Sequence, residues 1–188
     1  MKAAGFVLVG GRSSRMGHDK ARLPVESRFL VEVIAAAVAE AAESVALVGN
    51  PAAFADLAFD CIPDMRPGLG PLAGLEAALA TDRAAFNVIA SCDMPGMRAS
   101  IFKRLLCVCE ETRALCTLVK DAEGRKHPLC AVYHRDCLRL VRKALDSNRL
   151  RLLDVVEELG AVEVPIDSVL SNVNTPEQWA AWQAAQRV

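Results

Sequence analysis

"AAGFVLVGGRSSRMGHDKARL", residues 3–23, runs from an apolar, β-prone stretch straight into a basic, glycine-rich one. From Gly10 to Lys20 there are three glycines (Gly10, Gly11, Gly17) and three cations (Arg12, Arg15, Lys20). Two familiar phosphate motifs are excluded. The stretch is not G-x-x-x-x-G-K-[ST], because Lys20 follows Gly17 by three and precedes alanine, and it is not G-x-G-x-x-G. The physics of phosphate binding still applies. Adjacent glycines let the backbone approach a polyphosphate and present N–H groups to it. Arg15 as a fork and Lys20 as a point charge can then neutralise it. The other reading is a surface turn whose cations are solvated.

Working outward, short apolar runs alternate with helical patterns. Strands are expected at 3–9, 44–49, 59–64, 85–93, 114–120 and 127–133, with a short one in "GAVEVPI". Residues 29–43 place Phe29, Leu30, Val33, Ile34, Ala37, Val38 and Ala41 on one helical face. Helices are also expected at 70–82, 99–111, 135–147 and 150–159. A last one starts at Thr175-Pro176-Glu177-Gln178, a capping box with proline at the first helical position. Trp179 and Trp182, three apart on it, suit core packing better than a base-stacking platform. This alternation predicts an α/β fold: a Rossmann-like, doubly wound, mostly parallel sheet with helices on both faces and a mixed edge around 114–133. No repeat or linker interrupts it, so residues 1–188 read as a single domain.

In such sheets ligands bind outside the carboxyl ends of the strands, so residues there carry weight. "SCDMP" (91–95) releases Asp93 at the end of a buried run. One carboxylate suits a Mg²⁺ ion shared with phosphate oxygens; a helix cap is the other reading. "IPDMRPGLGPLAG" (62–74) places Asp64 at a strand end. Its Gly68, Gly70 and Gly74 allow either close ligand approach or a tight strand-to-helix turn. In "SNVNTPE" (171–177), Asn172 and Asn174 flank Val173 and fall on one side of an extended segment. They suit amide contacts to a ligand, or turn chemistry ahead of the Thr175 cap.

Composition narrows the classes. There are 22 Lys+Arg against 23 Asp+Glu, so a general electrostatic grip on nucleic acid is not expected. No apolar run reaches the ~18 residues of a membrane span. The N-terminal run enters the glycine stretch rather than a small-residue cleavage site, so no signal peptide is expected. The seven cysteines form no C-x-x-C pair and read as buried thiols of a cytoplasmic protein. His18, His127 and His134 offer no metal-ligand spacing, and Ser13 and Ser14 have no histidine partner, so side-chain nucleophilic catalysis is not supported. Arg12 and Arg22 fit no motif and read as solvated charges.

Together these stretches resemble the molybdenum cofactor guanylyltransferases (the MobA family), within the Rossmann-like, nucleotide-diphospho-sugar transferase-like nucleotidyltransferases. The resemblance spans nearly the whole chain. It rests on "LVGGRSSRMGHDK" (8–20), "GPLAG" (70–74), "CDMP" (92–95), "HPLCAVY" (127–133) and "NVNTPE" (172–177). Val9 stands where the family usually has alanine. The resemblance implies transfer of GMP from GTP to a molybdopterin-type cofactor, with Mg²⁺ and release of pyrophosphate. It implies Asp93 as metal ligand, and Arg15 and Lys20 on the triphosphate with the backbone of Gly10 and Gly11. Leu8, Val9, Gly10, Asn50 and Asp64 would line the guanosine site, and Asn172 and Asn174 the pterin side. The Gly10-Gly11 pair goes with guanine in this resemblance, where related cytidylyltransferases show L-A-A-G. GTP, the molybdenum cofactor and molybdoenzyme-maturation proteins are the implied partners. A CTP-dependent or other phosphate-acceptor transferase, and a non-catalytic delivery protein, are the alternatives.

Overall fold

The computed structural model describes residues 2–10 and 19–185. Along the chain it builds β1 (Ala3–Leu8), a small hairpin of β2 (Pro24–Val25) and β3 (Arg28–Phe29), α1 (Leu30–Ala41), β4 (Val45–Gly49), β5 (Asp60–Pro63), α2 (Pro71–Ala80), β6 (Phe86–Ser91) and α3 (Ala99–Thr112). The remainder is β7 (Cys116–Lys120), β8 (Lys126–His134), α4 (Leu138–Asp146), α5 (Leu152–Glu158), β9 (Val162–Pro165) and α6 (Pro176–Ala185).

One seven-stranded sheet has the order β5-β4-β1-β6-β8-β7-β9. β8 pairs antiparallel with both β6 and β7, whereas the other pairings are parallel. The mixed region is where the hairpin pattern predicts it, with β8 inside the sheet and β9 added beyond β7. The fold is therefore the doubly wound, mostly parallel α/β architecture.

β1 is buried throughout, and its side chains alternate between two cores. Ala3 and Val7 face a layer containing Ile34, Val38, Phe102 and Leu105 from α1 and α3. Ala4, Phe6 and Leu8 face Leu72, Leu75, Val141 and Val155 from α2, α4 and α5. A strand covered on both faces reads as a continuous apolar run, which is why "AAGFVLV" lacks polar alternation. Each fully buried large side chain stabilises the fold by about 1.5–3 kcal/mol. Gly5 sets how closely α1 can lie: a Cβ there would stand 2.3 Å from Val38 Cγ1 and 2.9 Å from the Ser44 carbonyl oxygen.

The helix ends follow local chemistry. Glu32 accepts from the Phe29 N–H (2.7 Å) and starts α1 one residue inside the expected 29–43 span. Thr175 Oγ1 accepts from the Gln178 N–H (3.3 Å) and Gln178 Oε1 accepts from the Thr175 N–H (3.1 Å), so the capping box at α6 is reciprocal. Trp179 is buried in the α1/α3 core and Trp182 stacks on it with centroids 5.0 Å apart. Among the described residues no helix is long and apolar enough to cross a membrane.

Candidate active site

The carboxyl ends of β1, β4, β5 and β6 open on one edge of the sheet, where the chain switches from the β4 side to the β6 side of β1. Leu8 and Val9 are buried, so their side chains belong to the core and only their backbone faces this edge. The Leu8 carbonyl accepts from Cys92 N–H (3.2 Å) and Val9 N–H donates to the Val48 carbonyl (2.9 Å). The valine at position 9 is accommodated inward: a Cβ on Gly49 would lie 2.9 Å from Val9 Cγ2, so the missing side chain at 49 makes room for it. Gly10 is exposed, its φ is not in the left-handed region, and a Cβ on it would meet nothing among the described residues within 4 Å. Neither backbone strain nor packing against those residues accounts for glycine here. Gly11 and Arg15, with Arg12, Gly17 and His18, lie outside the described residues.

Beyond them, Asp19 caps the 3-10 turn Lys20–Arg22 by accepting from the Ala21 N–H (3.0 Å), which presents Lys20. Lys20 Nζ donates to Asn174 Oδ1. Asp93, just after β6, accepts from Ser91 Oγ at one carboxylate oxygen (2.6 Å) and from Asn172 Nδ2 at the other (3.3 Å). The tail is docked by its backbone too, Val173 N–H donating to the Asp93 carbonyl (2.8 Å). Val173 is buried, so Asn172 and Asn174 on either side of it turn back towards Asp93 and Lys20. The structure thus brings Lys20, Asp93, Asn172 and Asn174 together.

Asn50 and Asp64 sit at the next two strand ends, each holding a turn. Asn50 Oδ1 accepts from Ala52 N–H (3.2 Å) and Asp64 Oδ1 from Arg66 N–H (2.8 Å). The glycines of 62–74 have structural explanations. Gly68 (φ +90°) and Gly70 (φ +76°) hold left-handed conformations that other residues adopt at a cost. A Cβ on Gly74 would lie 2.9 Å from Leu8 Cδ2, so α2 rests directly on β1.

Cys92, beside Asp93, is buried, and desolvation followed by the Asp93 charge pushes its thiol pKa up to about 12. It stays a neutral thiol at ordinary pH, which does not suit nucleophilic attack. All seven cysteines are free, and five are buried as expected, but Cys61 is half-buried and Cys107 is exposed. No group of three His, Cys, Asp or Glu side chains able to hold a metal occurs among the described residues. Asp93 alone matches a metal that takes most of its ligands from phosphate and water, as Mg²⁺ does, rather than one held in a protein cage.

Some partners were not legible in the sequence. Ser91, two residues before Asp93, aims its carboxylate. Arg22 corrects the expectation of a solvated charge. Its guanidinium grips Asp56 through Nη1 (2.9 Å) and Nη2 (2.5 Å), donates to the Ala53 carbonyl (2.7 Å), and lies 5.5 and 5.7 Å from the Phe29 and Phe54 ring centroids. The expectation failed because these partners come from the β4–β5 connection and from β3. A depression of about 890 Å³ lies elsewhere, beside α4 around Leu115, Arg139 and Lys143. It is shallow and brings together none of the strand-end groups, so the convergent polar residues mark the stronger site.

The family model of the MobA-like NTP transferase domain matches residues 5–182. A protein of Xanthomonas euvesicatoria pv. vesicatoria named molybdenum cofactor guanylyltransferase is 35% identical over 184 residues, covering 94% of this chain and 92% of that one. A Carboxydothermus hydrogenoformans protein named "Probable molybdenum cofactor guanylyltransferase" is 31% identical over 185 residues, covering 92% and 91%. The crystal structure of molybdopterin-guanine dinucleotide biosynthesis protein A from Archaeoglobus fulgidus superposes with a TM-score of 0.82 over 98% of this chain and 100% of that one, at 22% identity. A match of this extent, on a sheet with these residues at its carboxyl edge, places the chain in the MobA-like NTP transferase family.

Proposed function

We propose that this protein transfers GMP from GTP to a molybdopterin-type molybdenum cofactor, giving the guanine dinucleotide cofactor and pyrophosphate. The observation that carries the reading is the convergence of Lys20, Asp93, Asn172 and Asn174 at the carboxyl edge of the sheet. The names of the relatives supply the substrates. An oxygen of the cofactor's terminal phosphate attacks the α-phosphorus of GTP. The new P–O bond forms as the α–β bridging bond breaks, and pyrophosphate leaves with the electron pair. This asks the protein for positioning and charge compensation rather than a covalent step.

In this reading Lys20 and Arg15 hold the triphosphate with the backbone N–H groups of Gly10 and Gly11. The backbone of Leu8, Val9 and Gly10, with Asn50 and Asp64, lines the guanosine. A carboxylate such as Asp64 is the acceptor that guanine N1–H and N2–H₂ need. Asp93 is the ligand of a divalent metal, Mg²⁺, which when bound offsets charge on the phosphate oxygens. Ser91 and Asn172 orient that carboxylate, and Asn172 and Asn174 form the acceptor wall. The proposal includes one nucleotidyltransferase domain over 1–188, supported by two cores sharing one sheet. It also includes a cytoplasmic setting, in keeping with seven unpaired thiols, and delivery of product to molybdoenzyme-maturation proteins.

The test is pyrophosphate release across a nucleotide panel, with and without molybdopterin cofactor and Mg²⁺. Release that needs both GTP and the pterin is expected. Equal or greater release with CTP would defeat the guanine assignment. No release with any nucleotide would favour a non-catalytic carrier.

A further inference from the structure

The β7–β8 connection and the start of β8 carry a buried polar pair that the proposed chemistry does not use. The Asp121 side chain has no exposed surface and His127 is 9% exposed, with Nε2 2.9 Å from Asp121 Oδ2. Asp121 Oδ1 accepts from the backbone N–H groups of Glu123 (3.0 Å) and Arg125 (2.9 Å). A carboxylate so placed requires a donor on its second oxygen, which fixes the imidazole proton on Nε2. Burial alone would raise the Asp121 pKa; the bonds from His127 and from the Arg125 and Glu123 backbone outweigh it and leave the pKa below its usual value. His127 opens the "HPLCAVY" stretch, and the same stretch is anchored again where Tyr133 Oη donates to the Pro128 carbonyl (2.8 Å). Both contacts brace the register shift between Leu118 and Val119.

This connection lies at the carboxyl end of β7, which runs parallel to β6, and so on the same edge of the sheet as Asp93. The tail runs from one to the other. Ile166 N–H donates to the Lys120 carbonyl (3.0 Å) and Ala122 N–H to the Ser168 carbonyl (3.2 Å). Leu170 is buried against Gly96, where a Cβ would lie 3.4 Å from its Cδ2. Val173 then joins Asp93 (2.8 Å). Three residues separate the last contact on the turn, at Ser168, from Asn172.

We propose that Asp121 and His127 form a buried clamp that fixes the course of residues 166–174 and thereby positions Asn172 and Asn174 as the acceptor wall. Both are positioning residues, since neither touches the Lys20–Asp93 cluster. The functional part rests on the reading of that cluster as the transfer site. The structural part, that the clamp orders the tail, stands without it.

The full chain tests both parts. His127→Leu removes the donor. His127→Gln restores it, because the Gln amide nitrogen can occupy the place of Nε2. Hydrogen exchange over 166–174 is expected to quicken by about tenfold or more in His127→Leu while β4 and β6 stay protected, and to return towards wild type in His127→Gln. In pyrophosphate release, the KM for the pterin acceptor is expected to rise about tenfold with the KM for GTP within about twofold. Unchanged tail exchange in His127→Leu overturns the clamp. Equal shifts in both KM values overturn its acceptor-side role. If His127→Leu does not fold, His127→Asn, whose amide is too short to reach Asp121, carries the same comparison. Wild-type protein that releases no pyrophosphate defeats the reading of the site, and the exchange result still decides the clamp.

Discussion

Lys20 Nζ and Asn174 Oδ1 are hydrogen-bonded across 154 positions of sequence. The cation after the glycine stretch and the amide before the last helix therefore share one point in space. If Lys20 serves the triphosphate and Asn174 the acceptor, that point is where the transferred phosphoryl group must lie. Lys20→Ala is expected to weaken GTP binding roughly tenfold to a hundredfold, the range of a lost charge-assisted hydrogen bond. Its melting temperature should stay close to wild type, because the ammonium is only half-buried. Titration calorimetry with GTP checks it, and unchanged affinity removes Lys20 from the site.

Asp93→Asn keeps the shape of the carboxylate and removes its charge. Ser91 can still donate to the remaining oxygen, but Asn172 would meet another amide nitrogen or force a flip. Pyrophosphate release is expected to fall on the order of a hundredfold or more, with partial recovery at high Mg²⁺. Release at the wild-type rate would show that Asp93 is not the metal ligand.

Two glycines in β1 and just after it should respond in opposite ways. Gly5→Ala drives a methyl into Val38 and the Ser44 carbonyl, and backbone cannot easily yield. A loss of about 3 kcal/mol in stability is expected by urea denaturation. Gly10→Ala meets nothing among the described residues, so stability should hold while GTP affinity drops. A destabilised Gly10→Ala protein with normal GTP affinity would assign Gly10 to packing instead.

The sheet, and the residues at both ends of the candidate site, could be read from sequence because they depend on local pattern. Continuous apolar runs marked strands buried on two faces, and Thr175 to Gln178 marked a helix start through contacts three residues apart. Asp93 was legible because it ends such a run. What could not be read depends on distance in sequence. Asn172 orients Asp93 from 79 positions away, and Arg22 finds Asp56 from 34. β2 and β3 are two residues each, too short to show a period. The Asp121–His127 pair spans only six positions, yet its meaning comes from the tail that the turn holds.

Arg22 gives the last prediction. It lies two residues after Lys20 and binds the turn that follows Asn50, so it ties the Lys20 side of the candidate site to the Asn50 side. A solvated arginine could be replaced freely; this one has a forked carboxylate contact, a carbonyl and two aromatic rings. Lysine can supply the charge but neither the fork nor the planar guanidinium near the two rings. Arg22→Lys is therefore expected to recover only part of what Arg22→Ala loses. For Arg22→Ala the melting temperature should fall by a few degrees, and the KM for GTP should rise about threefold to tenfold as Lys20 and Asn50 lose their common anchor. The KM for the pterin should move less, because Arg22 touches neither Asp93 nor the tail. Equal behaviour of the Lys and Ala variants would mean that the forked geometry contributes nothing. A GTP constant unchanged in both would confine Arg22 to stability.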